Sequence, residues 1–425
     1  AMPTVLSKEE GKELEEKDKK HNILALYSSA FVQITSMCCL IQTTPSIVIR
    51  HHKGNTALAV QTLNQMTSAA AVLEFALNPL FGALADTFGR KRILLAAPIA
   101  TVIFRSFSVQ NPTLLRIIIA RLITGSLIPA FVTSMNAAVT DMYGASNPQV
   151  LQVGINMQMI LGVAFILGNY LGGNLAAMGP KAANACSAFL GLVAFAITAS
   201  FKETLPPSSR TAFRMSGLNP LGFLGLFRQG SLLSQLSLVL GLVQLPDNMG
   251  DVSQIFAKDV RGWGPVENGR FMSYGGLVRI IAGASTTRLA QALGPRKLTL
   301  VSTLAAAISN LLMGQAKTAF SAYTALVVGG LGMGRTAAVQ AAVTAAASKQ
   351  TQGQGSLAAD RANLAAVVKA LGPLLFGALY ARGATSGRPH LPFTTMAALL
   401  TAAHAIVATL PADAFAANKP TPKRS

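Results

Sequence analysis

The sequence predicts an all-α protein that crosses a membrane many times, with twelve transmembrane helices in two six-helix bundles related by pseudo-symmetry. Three observations support this prediction. Of the 425 residues, 51% are hydrophobic and only 12% are charged, whereas soluble domains have roughly a quarter of their residues charged. The apolar residues form long continuous runs of the roughly 20 residues that a transmembrane helix needs. The second half of the chain also repeats short motifs of the first half in the same order.

The composition excludes several classes of protein. Lys and Arg exceed Asp and Glu by 35 to 16, which gives a formal net charge of +19. The basic residues are scattered between apolar runs, whereas a nucleic-acid-binding surface requires dense basic patches, so we expect no nucleic acid partner. The three cysteines have no spacing typical of a disulfide framework or a metal site. The sequence has no phosphate-binding loop and no catalytic grouping of residues, so we expect no cofactor, no ATP-driven pumping and no enzyme activity.

The apolar runs predict the positions of the transmembrane helices. The predicted spans are Ile23–Ile49, Ala57–Ala85, Ile93–Val109, Leu114–Thr140, Val150–Ala177, Ala182–Phe201, Leu232–Ala257, Phe271–Leu293, Leu298–Ala316, Ala319–Ala347, Ala362–Ala381 and Phe393–Leu410. They divide the chain into a cytoplasmic N-terminal segment (1–22), an N-terminal bundle (23–201), a cytoplasmic central loop (202–231), a C-terminal bundle (232–411) and a cytoplasmic tail (412–425). Basic residues are about twice as frequent in the connections on one side, so the positive-inside rule places both termini in the cytoplasm. The membrane is the plasma membrane or that of an organelle.

The two halves of the chain repeat at a shift of about 205 residues. Under this shift Gly89 overlays Gly294 and Lys91 overlays Arg296. Each match is weak by itself, and chance similarity between alanine-rich helices is the alternative explanation. An internal duplication would place the binding site between the repeats, near the middle of the membrane, and suggests transport by alternating access.

The connection between the second and third spans carries the most specific motif. It reads Gly82-Ala-Leu-Ala-Asp86-Thr-Phe-Gly89-Arg90-Lys91-Arg92. A generic positively charged loop would explain its three basic residues, but not the spacing of Gly82, Asp86 and Gly89. The motif resembles the signature loop of the major facilitator superfamily. This resemblance implies a secondary transporter in which two six-helix bundles rock about a central site.

The fourth span carries a motif similar to one in the drug:proton antiporter branch of that superfamily. It begins at Arg121 and has Thr124 where the branch has glutamine, and Asp141 ends the span as in that branch. The resemblance implies that Arg121 faces the central cavity. Residues 202–206, after the sixth span, look like the tail seen in tetracycline-efflux-like members.

The fifth span resembles the helix-bend motif of the same branch. The matching residues are Gly168, Asn169, Gly172 and Gly173. Asn169 stands where the motif has proline, and proline helps to shape the bend, so this departure weakens the antiporter assignment.

Two ion pairs are expected to form a gate at the cytoplasmic face. Asp141 should pair with Arg90, and Asp86 should pair with the start of the eleventh span, near Arg361. Both pairs would hold the inner gate shut when the transporter is open to the outside.

Ionisable residues inside the predicted spans are costly and usually functional. Glu74 lies twelve residues before Asp86, about 18 Å along the helix, and therefore in the middle of the membrane. A carboxyl group in that position suits proton exchange, and a fixed ion pair within the bundle is the alternative. The other candidates for proton coupling or solute binding are Gln33, Arg121, Asn136, Asp247, Asp251, Arg279, Arg335 and Lys369.

The pairing of these charges leads to further expectations. Asp247 and Asp251 are four residues apart, which predicts that they share one face of the seventh span. Asp251 with Arg279 is one possible internal pair. Arg105, near the outer end of the third span, is expected to extend to the membrane interface. The candidates include one base more than acids, which suggests an anionic or zwitterionic solute.

The sequence therefore predicts a secondary active transporter that moves a small organic solute by alternating access, with proton-coupled export as the preferred mode. An organic-anion exchanger or uniporter is one alternative. A non-transporting receptor or scaffold with the same fold is another. The expected partners are the solute, protons and the lipid bilayer, and the chain is expected to be a monomer.

Overall fold

A computed structural model describes residues 8–144, 147–210, 221–348 and 354–415. These ranges contain fourteen α-helices joined by short connections. The helices are α1 (Lys8–Cys38), α2 (Thr43–His51), α3 (Thr56–Phe88), α4 (Arg90–Gln110), α5 (Leu114–Tyr143), α6 (Pro148–Met178), α7 (Pro180–Ser200), α8 (Ser231–Gln244), α9 (Gly250–Arg261), α10 (Pro265–Gln315), α11 (Ala319–Gly330), α12 (Arg335–Ser348), α13 (Gln354–Thr385) and α14 (Leu391–Thr409). Parts of the predicted N-terminal segment, central loop and tail lie outside the described residues, at 1–7, 211–220 and 416–425.

The helices confirm the all-α polytopic fold class. Within the described ranges, ten helical segments are long and apolar enough to cross a membrane. The other two predicted spans are helical as well. One consists of α8, a short 3-10 turn and α9, and the other is the first part of α10. Helices are expected because backbone N–H and C=O groups inside a bilayer must form their hydrogen bonds within the protein.

The seventh predicted span is broken at Pro246. Proline has no backbone N–H and cannot continue the hydrogen-bond pattern of α8, so the chain forms a 3-10 turn over Leu245–Asn248 before α9 begins. The turn contains Asp247, whereas Asp251 lies in the first turn of α9. The two acids therefore lie in different elements, and their position on one face stays a prediction.

The described helices form two compact units. Unit 1 comprises Ala1–Thr44 and Ala76–Ser216, and unit 2 comprises Pro45–Phe75 and Gly217–Ser425. Residues 45–75 were assigned to the N-terminal bundle from the sequence, and in this structure they group with the second half of the chain. Each unit has its own apolar core. Examples are Leu94, Phe131 and Phe201 in unit 1 and Leu233, Leu240 and Val407 in unit 2.

The predicted internal repeat has a counterpart in the backbone. Gly89, between α3 and α4, has a φ of 99°, and Gly294, inside the segment named α10, has a φ of 74°. Positive φ is accessible to glycine at little cost. Gly294 is non-helical and divides α10 into two helices, which correspond to the eighth and ninth predicted spans. The two halves therefore make the same kind of turn at equivalent positions.

The basic residues two positions after these glycines also have equivalent contacts. Lys91 Nζ donates to the Ala199 carbonyl at 2.6 Å, and Arg296 Nη2 donates to the Ala408 carbonyl at 2.8 Å. Ala199 and Ala408 lie in the last turns of α7 and α14. A cation at a helix C-terminus binds carbonyls that have no partner within the helix and is stabilised by the helix dipole. These basic residues therefore cap helices in both halves of the chain.

The glycines of the fifth span allow α6 to approach α1 closely. A Cβ atom on Gly168 would lie 2.5 Å from the Cβ of Cys38, and one on Gly172 would lie 2.7 Å from the Cys39 carbonyl oxygen. Both distances are too short for any side chain. Small residues at helix contacts are typical of membrane proteins because dispersion contacts, rather than exclusion of water, hold the helices together.

Substitution of Gly172 by alanine is expected to lower the stability of the protein. The added methyl group would overlap the backbone at Cys39, and overpacking of this kind costs about 1–3 kcal/mol. The measurement is the thermal unfolding of the purified protein in detergent.

Gly154→Ala is the matched control, because Gly154 lies in the same helix and its added Cβ would meet nothing within 4 Å. That variant is expected to be as stable as the wild type or slightly more so. Equal loss of stability in both variants would contradict the close α6–α1 contact.

Candidate functional site

Glu74 and Lys369 form an ion pair inside unit 2, where Lys369 Nζ contacts Glu74 Oε2. Glu74 lies near the middle of α3, and Lys369 lies near the middle of α13. The Glu74 side chain is 17% exposed and that of Lys369 is 48% exposed. The carboxylate is thus largely enclosed, whereas about half of the lysine side chain is exposed. Two charges in the middle of apolar helices are expected to pair and to serve a function.

The helices that carry this pair are also in direct contact next to it. Ser68 Oγ donates to the Ala370 carbonyl, one residue after Lys369. Two turns further along α13, a Cβ on Gly377 would lie 2.9 Å from the Asn64 side chain. The α3–α13 contact is therefore close enough to require glycine, and it positions the two charged groups opposite each other.

Asp251 also contacts α3. Thr67 Oγ1 donates to Asp251 Oδ2 at 2.6 Å. Thr67 lies two turns before Glu74 on α3. The same helix therefore provides the hydroxyl that binds Asp251 and the carboxylate that pairs with Lys369. The possible pair of Asp251 with Arg279 stays a prediction.

Arg279 lies near Asp247, with Nη2 at 3.9 Å from Oδ1. Both side chains are well exposed, at 60% and 59%, so the pair is loose and either group is accessible to a solute. The positive charge of Arg335 also acts on Asp247. Arg279 is the cation that pairs with this carboxylate, and Arg335 is a second cation nearby.

Arg335 has a structural role that its residue type alone did not reveal. It is 7% exposed, and it donates from Nε to the Val243 carbonyl at 3.0 Å and from Nη1 to the Gly332 carbonyl at 2.6 Å. Val243 lies at the end of α8, and Gly332 lies in the turn between α11 and α12. Arg335 therefore satisfies carbonyl groups at two breaks in the helices of unit 2.

A cavity of about 300 Å³ lies within unit 2, between α10, α11 and the start of α12. Most of its lining is apolar, and it includes Tyr274, Ile281, Leu298, Val327 and Leu331. Its volume is at the lower end of the range for sites that bind small molecules. In the described ranges no three His, Cys, Asp or Glu side chains are grouped so that they could hold a metal ion.

In unit 1, Arg90 of the signature loop contacts one acid on α3 and one on α5. Its Nε donates to Asp141 Oδ2 at 2.9 Å, and its Nη1 donates to Asp86 Oδ1. The expected pair of Arg90 and Asp141 is thus present, and Asp86 contacts the same guanidinium group. Arg361, in unit 2, donates to Thr344 Oγ1 at 2.6 Å. The expected tie between Asp86 and Arg361 stays a prediction, as does the gating role of these residues.

Glu203 also belongs to this network, a role that the resemblance of residues 202–206 to the tetracycline-efflux-like tail did not predict. Its carboxylate accepts hydrogen bonds from the backbone N–H groups of Arg90 and Lys91 at 3.0 and 3.2 Å. Gly89, at the start of α4, has no side chain to cap the helix, so Glu203 supplies the cap from a distant part of the chain. A Cβ on Gly89 would overlap Glu203 Oε2. The glycine is therefore needed for its positive φ, and a side chain in its place would displace the Glu203 carboxylate from the cap.

Asn169 replaces the motif proline and forms hydrogen bonds through both ends of its amide group. It is fully buried, and its Nδ2 donates to the Phe165 carbonyl at 2.8 Å. Gln42 Nε2 lies 3.5 Å from Asn169 Oδ1, which links α6 to the turn that follows α1. Asn136, in contrast, is exposed on α5.

The prediction that Arg105 extends to the membrane interface is wrong. The residue is 7% exposed, and its Nη2 donates to Thr124 Oγ1 at 2.9 Å. It faces α5 rather than lipid, because α4 packs along α5 and α7 and buries this side of the helix. Arg121 is partly buried, and Gln33 is buried with its Nε2 bonded to Thr101 Oγ1 at 2.9 Å.

The sequence profile of the Major Facilitator Superfamily matches residues 26–362. The chain belongs to the major facilitator superfamily. It is therefore an integral membrane transporter and not an enzyme. The match begins in α1 and ends in α13, so it includes the signature loop and most of the contacts described above.

Individual members of the superfamily are similar to this chain over most of its length. The class C tetracycline resistance protein of Escherichia coli is 26% identical over 330 residues, which are 74% of this chain and 79% of that protein. The crystal structure of the human organic anion transporter MFSD10 (TETRAN) has a TM-score of 0.62 at 19% identity and covers 91% of this chain and 99% of its own. The crystal structure of the nucleoside transporter NupG has a TM-score of 0.69 at 14% identity, with 91% of this chain and 98% of that chain covered. The two structures show a shared fold.

Removal of the Glu203 carboxylate is expected to destabilise the start of α4 in the superfamily's signature loop. Loss of a helix cap costs about 1 kcal/mol, so Glu203→Ala should unfold at a lower temperature than the wild type. Glu203→Gln keeps an acceptor oxygen and should lose less stability.

Glu16→Ala is the control for this comparison, because Glu16 forms an exposed pair with Lys20 within one helix. Its unfolding temperature is expected to stay close to that of the wild type. A Glu203→Ala protein as stable as this control would show that the carboxylate does not cap α4.

Proposed function

We propose that this transporter exports a small organic solute by alternating access in exchange for protons, with Glu74 as the proton-binding group. The observation that carries the proposal is the ion pair of Glu74 with Lys369 in the middle of α3 and α13. A carboxylate at this depth can exist either as a charged partner of lysine or as a neutral acid. Each form favours a different contact between the two helices.

The coupling follows from the charge balance of the pair. When a proton from water binds Glu74, the carboxylate becomes neutral and Lys369 loses its counter-charge. An unpaired ammonium group in an apolar environment is costly, so Lys369 moves toward water and the α3–α13 contact weakens. Loss of the proton on the other side of the membrane restores the ion pair. Proton binding is thereby linked to separation and closure of these helices.

The direction and the type of solute are supported by similarity. The related Escherichia coli protein is named for resistance to tetracycline, a small organic compound. Export is the means by which a membrane transporter lowers the internal concentration of such a compound. The largely apolar cavity of about 300 Å³ in unit 2 suits the body of a small organic solute. The proposal also includes a cytoplasmic position of both termini.

The test is solute-driven proton movement in proteoliposomes, followed with a pH-sensitive dye enclosed in the vesicles. Tetracycline and a panel of lipophilic organic compounds serve as candidate solutes. Glu74→Gln removes the titratable group and keeps the shape of the side chain. We expect solute-driven proton movement to fall to the level of empty vesicles in this variant.

Glu16→Gln, which changes an exposed acid in α1 before its apolar stretch, is the matched control and should transport like the wild type. Binding of the solute to Glu74→Gln, measured as a rise in its unfolding temperature, shows that the variant is folded. Proton movement that persists in Glu74→Gln would exclude Glu74 as the proton-binding group.

Exchange or uniport of an organic anion is the second candidate function. The observation that favours it is the ion pair of Arg279 with Asp247, which has Arg335 as a second cation nearby. Arg279 is 60% exposed, and its ion pair with Asp247 is loose, at 3.9 Å. A guanidinium group of this kind can take the carboxylate of a solute in a bidentate pair.

The two candidate functions differ in the effect of Arg279→Gln. If the solute is an organic anion recognised by Arg279, this change should weaken uptake of labelled anions about tenfold or more, because it removes a charge-assisted hydrogen bond. Glu74→Gln should then have little effect on the same uptake. Unchanged anion uptake in Arg279→Gln would exclude Arg279 as the recognition group.

A further inference from the structure

Arg105 is a buried cation whose environment in unit 1 is incomplete. It lies in the second half of α4, and 7% of the residue is exposed. Its Nη2 has a hydroxyl partner in Thr124, but its Nε has no hydrogen-bond partner among the residues that the structure describes. Thr124 Oγ1 in turn donates to the Ala120 carbonyl at 2.6 Å. The hydroxyl therefore offers Arg105 a neutral acceptor and no negative charge.

The acidic residues of unit 1 belong either to the N-terminal part of α1 or to the network around Arg90. They are Glu9, Glu10, Glu13, Glu15, Glu16, Asp18, Asp86, Asp141 and Glu203. The last three contact Arg90 or its backbone at the start of α4. Arg105 is fifteen residues further along the same helix, which is about 22 Å away. The first six belong to the N-terminal part of α1, before its apolar stretch.

A second positive charge increases the need for an anion. Arg121, on α5, is close enough to Arg105 for the two like charges to repel each other. Charged side chains at membrane depth are paired or hydrated, because an uncompensated buried charge costs several kcal/mol. The Arg105 side chain is too buried for extensive hydration. The Nε–H of Arg105, which has no partner among the described residues, is a binding environment for an anion, and the neighbouring charge of Arg121 adds to the attraction.

We propose that Arg105 binds a small monovalent anion between α4 and α5, with Nε as the donor and the charge of Arg121 as a further attraction. Guanidinium groups are suited to this role because they keep their charge when buried and donate several hydrogen bonds in one plane. The anion is either inorganic, such as chloride, or the carboxylate group of a solute. This site is independent of the function proposed for Glu74.

The test uses the full-length protein purified in detergent. Unfolding is followed with a thiol-reactive dye, since Cys38 and Cys39 are buried and become reactive only when the protein opens. Sodium chloride, nitrate, acetate or benzoate is titrated at constant ionic strength against sodium sulfate. We expect a saturable rise in the unfolding temperature with at least one of the monovalent anions. A rise with chloride and nitrate alone identifies an inorganic ion, and a rise with acetate or benzoate identifies a carboxylate.

Arg105→Gln should lose the saturable rise, whereas Arg116→Gln should retain it. Arg116 is the control because it lies at the exposed start of α5 and donates to the Phe107 carbonyl at 2.9 Å. If Arg105→Gln does not fold, Arg105→Lys keeps the charge but loses the planar set of donors. Its half-saturating anion concentration should rise about tenfold. The proposal is overturned if the wild type shows no saturable rise, or if the response is unchanged in Arg105→Gln or in Arg105→Lys.

Discussion

Inside a membrane, a polar or charged group that has no partner in the protein cannot form a hydrogen bond with water instead. This constraint explains most of the contacts described above. Backbone groups satisfy it by forming helices. Where a helix must break, the freed carbonyls need donors from elsewhere. Arg335 supplies them for the end of α8 and the turn between α11 and α12, and Glu203 supplies an acceptor for the first N–H groups of α4.

The same constraint separates the charged residues into two groups. Some are enclosed and bonded to backbone carbonyls or helix ends, as are Arg335 and the signature-loop residues around Arg90. Others form an ion pair in the middle of two helices, as Glu74 does with Lys369. In the proposed function, a proton on Glu74 breaks this pair, because the pair requires a charged carboxylate. The structural charges would then keep the helices in place while this pair opens and closes.

Close helix contacts are the second requirement of this fold, and they depend on residues without side chains. Gly168 and Gly172 let α6 approach α1, and Gly377 lets α13 approach Asn64 on α3. Each contact lies close to a polar interaction, at Gln42 with Asn169 and at Ser68 with Ala370. Close packing excludes lipid and water from these hydrogen bonds, so the small residues also determine how strong the polar contacts are.

The sequence by itself determined the fold class, the positions of the spans, the repeat that places Gly89 opposite Gly294, and the family through its signature loop. These features are local or periodic, and apolar runs, turn glycines and motif spacing are visible along one chain. It also identified all four residues of the Arg90–Asp141 and Glu74–Lys369 pairs as candidates, but it predicted only the pairing of Arg90 with Asp141.

Only the tertiary structure decided which groups meet across the chain. Arg105 is enclosed by neighbouring helices, although its position near a helix end predicted the interface. Arg279 lies near Asp247, which a turn at Pro246 separates from the helix that carries Asp251. Glu203 reaches the start of α4 from 113 residues away. The physical reason is that the direction of a side chain depends on the rotation and packing of whole helices, and no short stretch of sequence records either one.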